Sequence, residues 1–264
     1  MNPGLSESER KELQLAKRLL ENPGLAIKIT SIIGSPIEKV LDRLPATWSD
    51  KIGEITRMAL SKAAQTAIFT MKDIPGEIPS NKWHKLGVAA SGGVAGFFGL
   101  AALAVELPVS TTIMMRSIAE IARSQGEPIS NIETRLACLE VFAMGGKSTS
   151  DQSAESGYYA VRALLARSVS EAVEYIVEKG IAKEGAPIIV KLIANISGRF
   201  GVQITEKVAA QTIPVIGAVG GALINTIFMN HFQDMARGHF IVRKLERMYG
   251  KENIKKLYDE LPDK

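Results

Sequence analysis

The sequence predicts an all-α protein, a multi-helix bundle built around two uncharged, glycine-containing central helical segments. Helix-capping patterns support this fold class. In Ser6-Glu7-Ser8-Glu9, a serine and a glutamate three positions later can satisfy each other's backbone N–H groups. Apolar residues recur every three or four positions, whereas strand-like alternation and Asn-Gly or Asp-Gly turns are lacking. The two long stretches without a charged residue indicate helices that are buried on all sides or lie in lipid.

Caps and prolines give the helix boundaries in the first third of the chain. Asn22-Pro23 and Ser35-Pro36 each predict a helix start, because proline is tolerated in the first turn. A longer helix is predicted over residues 49–72, where only one glycine interrupts the pattern. A loop containing two prolines follows over residues 74–79, and the next helix is expected to begin near Ser80.

The first uncharged segment, Leu86–Val105, reads LGVAASGGVAGFFGLAALAV. Glu106 and Pro108 follow it, and we expect the segment to end there because proline removes a helical hydrogen bond. A second helix is then predicted from Pro108 to about Ser124, with Gly126 as its C-cap.

The middle of the chain carries a further capping box and a polar loop. Ser130-Asn131-Ile132-Glu133 predicts a helix that stops at Gly145-Gly146. Residues 147–156 are small and polar, which favours a loop or a seam between two halves. Helices are then predicted over residues 158–179 and from Pro187 to Phe200.

The second uncharged segment, Val208–Asn230, reads VAAQTIPVIGAVGGALINTIFMN. It leads into a charged amphipathic helix with Ile241, Leu245 and Met248 on one face. A short helix and a tail are expected over residues 253–264.

A weak internal repeat relates residues 112–122 to residues 226–236, which share threonine, isoleucine, methionine and a final alanine without gaps. Two related halves around a pseudo-two-fold axis would explain the match. Coincidence between two apolar helices of similar composition is the alternative, and we favour it.

Each uncharged segment is long enough to span a bilayer, which takes about 20 residues. Gly92 and Gly96, like Gly217 and Gly221, lie four positions apart, a spacing that lets another helix backbone or lipid approach closely. Membrane spans, buried central helices and reversible lipid contact are three alternatives. The mean hydropathy of +0.08 is low for a membrane protein, and Pro214 interrupts the second segment. We therefore favour buried central helices with peripheral membrane association.

Composition excludes several classes of site. Cys138 is the only cysteine, so neither an internal disulfide nor a cysteine-based zinc site is expected. The net charge is +4, but aromatic residues make up 6% and basic residues alternate with acidic ones, so we do not expect nucleic-acid binding. A basic rim beside apolar segments suits an anionic membrane surface better. The polar residues 1–20 contain no secretory signal, which predicts a cytoplasmic protein.

No catalytic, metal or cofactor motif is predicted. Gly145-Gly146-Lys147-Ser148-Thr149 resembles the end of a phosphate-binding loop, but Val141 stands where the motif needs glycine, and a helix precedes it instead of a strand. We interpret it as a helix end and a polar loop. The three histidines lack metal-binding spacing, although His231 and Asp234 are three apart and could form an acid–base pair.

Polar residues inside apolar surroundings form a candidate polar cluster. Its members are Glu106, Arg116, Glu140, Arg162, Asn225 and His231. Each charge needs a partner if it is buried, because an uncompensated one costs several kcal/mol. The residues either form a central cluster that locks two halves together or lines a ligand cavity, or they lie on solvated helix faces.

Four stretches of the chain carry a family resemblance. They are Glu106-Leu107-Pro108 leading to Met115-Arg116-Ser117-Ile118-Ala119, CLEVFAMGG from Cys138, Tyr158-Tyr159-Ala160-Val161-Arg162, and Pro214-Val215-Ile216-Gly217-Ala218 through Asn225 and Phe240 to Leu245-Glu246-Arg247. Together these stretches resemble the EcsC protein family. The family is named for the third gene of a bacterial locus whose other products form an ABC transporter. The resemblance, over about residues 45–250, implies a bacterial protein that is cytoplasmic or membrane-associated, and it implies no catalytic residues. We expect one domain over residues 1–264, with N-terminal helices over 1–44 and a C-terminal tail over 251–264.

The leading functional hypothesis is a non-enzymatic protein that acts at the cytoplasmic face of a membrane and binds lipid or a membrane protein. One alternative is a soluble hydrolase-like enzyme built on Glu106, Glu140, Arg162 and His231. Another is a cavity that binds an apolar small molecule.

Overall fold

The computed structural model describes residues 4–21, 24–33, 37–42, 44–70, 99–145, 157–179, 186–212 and 217–262. Every regular element in these ranges is helical, which confirms the all-α prediction. The helices are α1 (Glu7–Leu20), α2 (Leu25–Ile33), α3 (Glu38–Leu41), α4 (Ala46–Thr70), α5 (Gly99–Ser124), α6 (Ile132–Glu140), α7 (Tyr158–Lys179), α8 (Pro187–Gln211), α9 (Gly217–Tyr249) and α10 (Lys251–Glu260). A 3-10 turn, Val141–Ala143, follows α6 directly.

Local signals placed several helix ends correctly. The Ser6 hydroxyl accepts from the Glu9 amide at 3.3 Å and the Glu9 carboxylate accepts from the Ser6 amide at 2.8 Å, so the predicted capping box is confirmed. Pro187 opens α8 as predicted. Gly126 follows α5 with φ of 79°, a left-handed conformation that glycine adopts without strain.

The cap of α6 differs from the prediction. Asn131, not Ser130, caps this helix, since its side-chain oxygen accepts from the Glu133 amide at 2.9 Å. The helix also ends at Glu140, where the chain tightens into the 3-10 turn instead of continuing to Gly145. Asparagine is as good an N-cap as serine, and Asn131 stands directly before the first helical residue, Ile132.

The predicted break at Pro108 is wrong, because α5 continues through this residue. Proline in a helix interior costs about 3 kcal/mol, so surrounding packing must offset this cost. The neighbouring residues Glu106 and Leu107 are both buried, and α5 packs against α4 and α9 on either side. A helix end at Pro108 would have turned these buried side chains away from their contacts.

The second uncharged segment is not one helix. It contains the end of α8 at Gln211 and the beginning of α9 at Gly217. α8 therefore extends beyond the predicted end at Phe200, while the apolar part of α9 and the charged amphipathic helix form one continuous element. Because the segment is apolar throughout, its composition did not indicate that one helix ends and another begins within it.

α9 is the central helix of the described bundle. It contacts α1, α2, α5, α8, α10 and the 3-10 turn. Four phenylalanines pack where α8, α9 and the 3-10 turn meet, with ring centroids 5.0–6.1 Å apart: Phe142, Phe200, Phe228 and Phe232. Aromatic pairs at these distances add to the stabilisation from burial.

One glycine of α9 allows close helix packing at a position that the sequence did not single out. A Cβ atom on Gly238 would lie 2.6 Å from Leu20 Cγ and 3.1 Å from the Ala16 carbonyl oxygen of α1. Of the four glycines predicted for helix packing or lipid contact, Gly92 and Gly96 lie outside the described residues. Gly217 begins α9 and Gly221 is buried within it.

Candidate functional site

The candidate polar cluster separates into different places in the structure. Glu106 and Asn225 meet between α5 and α9, whereas Glu140 and Arg162 belong to a second network between α6, α7 and α9. His231 lies beside Gly145, and Arg116 is exposed on α5. No contact among the described residues joins all six side chains into one constellation.

The first network is an ion pair that the sequence did not predict. Lys207 of α8 donates from Nζ to both carboxylate oxygens of Glu106 on α5, at 2.8 and 2.9 Å. The Asn225 amide of α9 donates to the same carboxylate at 3.3 Å, and the ring of Phe228 lies 5.0 Å from Lys207 Nζ. The side chains of Lys207 and Glu106 are 0% and 3% exposed. The ion pair and the Asn225 amide thus join α5, α8 and α9, and the two opposite charges balance each other in the interior.

Lys207 directly precedes the second uncharged segment, a position typical of a basic residue that flanks an apolar stretch. It nevertheless follows Phe200 and Ile204 at positions i+7 and i+3, on the stripe that faces the core. This spacing indicates that Lys207 is buried. A buried lysine in turn implies an acidic partner, because an unpaired buried charge is strongly destabilising.

The second network centres on Arg162 of α7. Its guanidinium donates to Glu246 of α9 through two bonds, at 2.7 and 3.0 Å, and to Tyr158 Oη at 3.2 Å. Because Tyr158 Oη already accepts from Arg162, its own proton is available for His239 Nδ1, 2.9 Å away. Tyr159 Oη also donates to Glu246, at 3.2 Å. The bidentate pair and its two tyrosines fix the relative position of α7 and α9.

Two titratable groups of this network are perturbed by burial. Burial raises the pKa of Glu140 to about 7, although the charges of Arg162 and Arg243 oppose the shift. Burial also places the pKa of His239 well below its usual value, so the imidazole is neutral. His239 Nε2 lies 4.0 Å from the Glu140 carboxylate. Glu140 therefore exchanges a proton near neutral pH while its histidine neighbour stays neutral.

A neighbouring ion network anchors the loop between α5 and α6. Glu127 accepts from Arg243 Nε at 2.9 Å, and it also bonds to Arg247 and to the Thr134 hydroxyl. Burial alone would raise the pKa of Glu127, but the hydrogen bond and charge of Arg243 and the charge of Arg247 hold it below its ordinary value. The carboxylate is therefore ionised and tied to α9.

His231 and Asp234 do not form the acid–base pair that their spacing allows. Asp234 instead forms an ion pair with Lys28 of α2 at 3.3 Å. The His231 ring is fully buried, and both of its nitrogens lack a hydrogen-bond partner among the described residues. Burial and the charge of Lys28 lower its pKa to about 3, so this histidine is neutral and contributes as a packed ring.

The described residues offer little for a bound cofactor. Their His, Cys, Asp and Glu side chains form no group of three or more that could hold a metal ion. A pocket of about 240 Å³ lies between α1 and the residues that follow α10, remote in sequence from the candidate cluster. Its lining residues are Gln14, Lys17, Arg18, Leu261 and Pro262.

An exposed apolar face runs along the N-terminal half of α5. Ala101, Val105 and Val109 are exposed at successive intervals of four, with Val105 73% and Val109 46% exposed. Between Gly99 and Met115 the only charged residue is Glu106, which points inward to Lys207. We call Ala101, Val105 and Val109 the α5 face.

Within the described ranges, two helices are long and apolar enough to cross a membrane by length and composition alone. They are residues Leu100–Ser124 of α5 and Pro187–Gln211 of α8, with 50% and 39% of the apolar window buried. Core helices of soluble proteins pass the same test. Both helices differ from the segments chosen from the sequence, which overlap them only at their ends.

The fold and the site define an all-α protein whose central helices are joined by buried ion pairs and whose α5 carries an apolar outer face. The chain belongs to the EcsC protein family, whose model matches residues 7–245. The match confirms the resemblance and begins at α1, nearer the N-terminus than the stretches that carried it. No curated protein and no solved structure is significantly similar to the chain.

Proposed function

We propose that this EcsC-family protein is a non-enzymatic protein that binds the cytoplasmic face of a membrane through the α5 face. The observation that carries the proposal is the reversed polarity of α5. Its valines at 105 and 109 face outward, while the intervening charge of Glu106 is buried and neutralised by Lys207.

Exposed valines and a buried glutamate are an unfavourable arrangement for a helix that meets only water. Full burial of a valine side chain contributes about 1.5–3 kcal/mol to stability, and the exposed valines of the α5 face do not make this contribution. Contiguous exposed apolar residues are typical of surfaces that meet a partner or a membrane. A bilayer would supply the missing burial without any charge having to enter it.

α8 supports the same interpretation. Val190 and Val202 are exposed on this helix, and Ala194 and Gly198 lie between them at intervals of four. The outer side of α8 is therefore also largely uncharged, with the exposed Lys191 pairing to Glu171 of α7. The net charge of +4 favours attachment to anionic lipid over neutral lipid.

Vesicle flotation of the full chain tests the proposal, with Val105→Asp as the disruptive variant and Val177→Asp as its control. Val177 is 71% exposed on α7 beside Glu174 and Glu178, so the two substitutions change equally exposed valines on different surfaces. Aspartate in a lipid-facing position costs up to about 3 kcal/mol, so we expect V105D to lose at least about tenfold in vesicle binding. V177D should bind like the wild type.

Absence of wild-type flotation, or equal loss in both variants, would refute the proposal. Circular dichroism of each variant establishes that it remains helical. If the α5 face instead docks on a protein, the wild type will not bind protein-free vesicles, and the lipid interpretation fails.

The described contacts do not support the hydrolase hypothesis, because they do not bring its residues together. Among the described contacts, Glu106 bonds to Lys207 and Asn225, Arg162 bonds to Glu246, and His231 joins neither network. Side chains separated in this way do not provide an acid, a base and a binding site around one reacting atom.

A further inference from the structure

Arg116 lies on the same side of α5 as the α5 face, but in the C-terminal half of the helix. It is seven residues beyond Val109 and eleven beyond Val105, which returns it to the same side of the helix at 3.6 residues per turn. At 1.5 Å per residue, its Cα lies about 10 Å along the axis from that of Val109. Arg116 is exposed and forms no ion pair with any described residue. One side of α5 therefore changes from apolar to charged along its length, since Glu120 and Arg123 follow Arg116 at four and seven residues, and Arg116 is the most exposed of the three.

We propose that the partner of the α5 face is a leaflet containing anionic phospholipid, with the valines among the acyl chains and the Arg116 guanidinium bound to lipid phosphate. This inference rests on the proposed function. It adds the residue that recognises the anionic lipid and the orientation of α5, whose N-terminal half is the end nearer the bilayer centre.

The distance between the valines of the α5 face and Arg116 fits the distance between the acyl chains and the headgroups of a bilayer. The hydrocarbon core is about 30 Å thick, so one leaflet contributes about 15 Å. With Val105 and Val109 in the acyl region and α5 close to the bilayer normal, an arginine about 10 Å from Val109 along the axis reaches the headgroup level. Its long apolar stem can lie along the acyl boundary while the charged group stays among phosphates.

The guanidinium is suited to this role. It presents several N–H donors in a planar fork that matches phosphate oxygens, and it remains charged at all physiological pH values. The inner arginines Arg162 and Arg243 are already bonded to Glu246 and Glu127. On the exposed side of α5, Arg116 is the arginine that the described contacts leave available for a phosphate.

Equilibrium partitioning of the full chain onto two kinds of vesicle tests the inference. One contains phosphatidylcholine only, and the other contains phosphatidylcholine with phosphatidylglycerol. A basic residue near an anionic surface favours binding by about fivefold, so Arg116→Gln should weaken partitioning onto the anionic vesicles by about that factor. Its partitioning onto neutral vesicles should change less, because a neutral surface has a phosphate but no negative surface potential to attract a basic residue.

Arg10→Gln is the matched control. Arg10 is exposed on α1, so the variant loses the same charge from another helix. We expect R10Q to partition like the wild type and R116K to retain most of the anionic preference. The fivefold difference between R116Q and R10Q should shrink as salt screens the headgroup charge.

Two results overturn the inference while leaving the proposed function intact. Either R116Q binds anionic vesicles as well as the wild type does, or R10Q weakens binding as much as R116Q, so that only net charge matters. Failure of the proposed function looks different, because then the wild type binds neither vesicle or V105D binds as well as the wild type.

Discussion

Replacing Lys207 with methionine tests how much the buried ion pair contributes to the fold. Methionine preserves the length of the side chain and its contact with Phe228, but it removes both bonds to Glu106. The Glu106 carboxylate, 3% exposed, then keeps only the Asn225 amide among its described donors. Removing one partner of a buried pair typically costs about 3–5 kcal/mol, because the remaining charge is buried without compensation.

Thermal unfolding followed by circular dichroism measures this loss. In a domain of 150–250 residues, 1 kcal/mol shifts the melting temperature by about 2–4 °C, so K207M should melt roughly 6–20 °C lower. Lys191→Met provides the control on the same helix. Lys191 pairs with Glu171 at 3.2 Å, but both groups contact solvent, and exposed pairs contribute little.

A double variant separates the charge from the packing. Glu106→Met together with K207M removes both ions, and hydrophobic replacement of a buried pair is often neutral or stabilising. We therefore expect the double variant to regain most of the stability that K207M loses. The reasoning is refuted if K207M melts like K191M, or if the double variant is less stable than K207M.

The remaining predictions concern a tight turn, a close helix contact and a titrating carboxyl. Gly145→Ala should destabilise more than Gly126→Ala in urea unfolding: both glycines have φ near 75–79°, but only a Cβ on Gly145 would lie 2.6 Å from the His231 ring. Equal losses would contradict the steric argument. Gly238→Ala should cost about 1–3 kcal/mol through its clash with Leu20, whereas Gly201→Ala, whose Cβ meets nothing within 4 Å, should stabilise α8 by up to about 1 kcal/mol. The pKa of Glu140 is about 7 in the folded protein and about 4.5 in the unfolded chain. The unfolded chain therefore releases this proton first, and the free energy of unfolding of the wild type falls as pH rises from about 4.5 to 7. Melting temperatures measured from pH 4 to 8 should therefore favour Glu140→Gln increasingly as pH rises, and a constant difference would show that Glu140 does not titrate there.

Signals confined to a few adjacent residues predicted the structure well. The Ser6 box and the first-turn proline at 187 depend only on neighbouring backbone groups, so the sequence contains all the relevant information. Pro108 shows the opposite case. Its local preference for a helix end is outweighed by the burial of Glu106 and Leu107, which depends on helices far away in sequence.

The candidate polar cluster failed to assemble for the same reason. Helical spacing tells which residues share one face, but not which faces meet. Glu106 meets Lys207 across 101 residues, and Arg162 meets Glu246 across 84. The spacing of Lys207 after Phe200 and Ile204 places it on the inward face of α8, but only the arrangement of the helices decides which charges become its neighbours.

The reversed polarity of α5 is difficult to explain by stability alone. A well-packed hydrophobic side chain at position 106 would stabilise the core at least as well as a buried ion pair. Outward valines at 105 and 109 add nothing to the fold, since their surface stays in water. The two features become consistent if the outer side of α5 has to remain uncharged as far as Arg116. Glu106 then lies on the inner side, where Lys207 neutralises it, and the family resemblance at Glu106-Leu107-Pro108 coincides with the point where this inward charge is fixed.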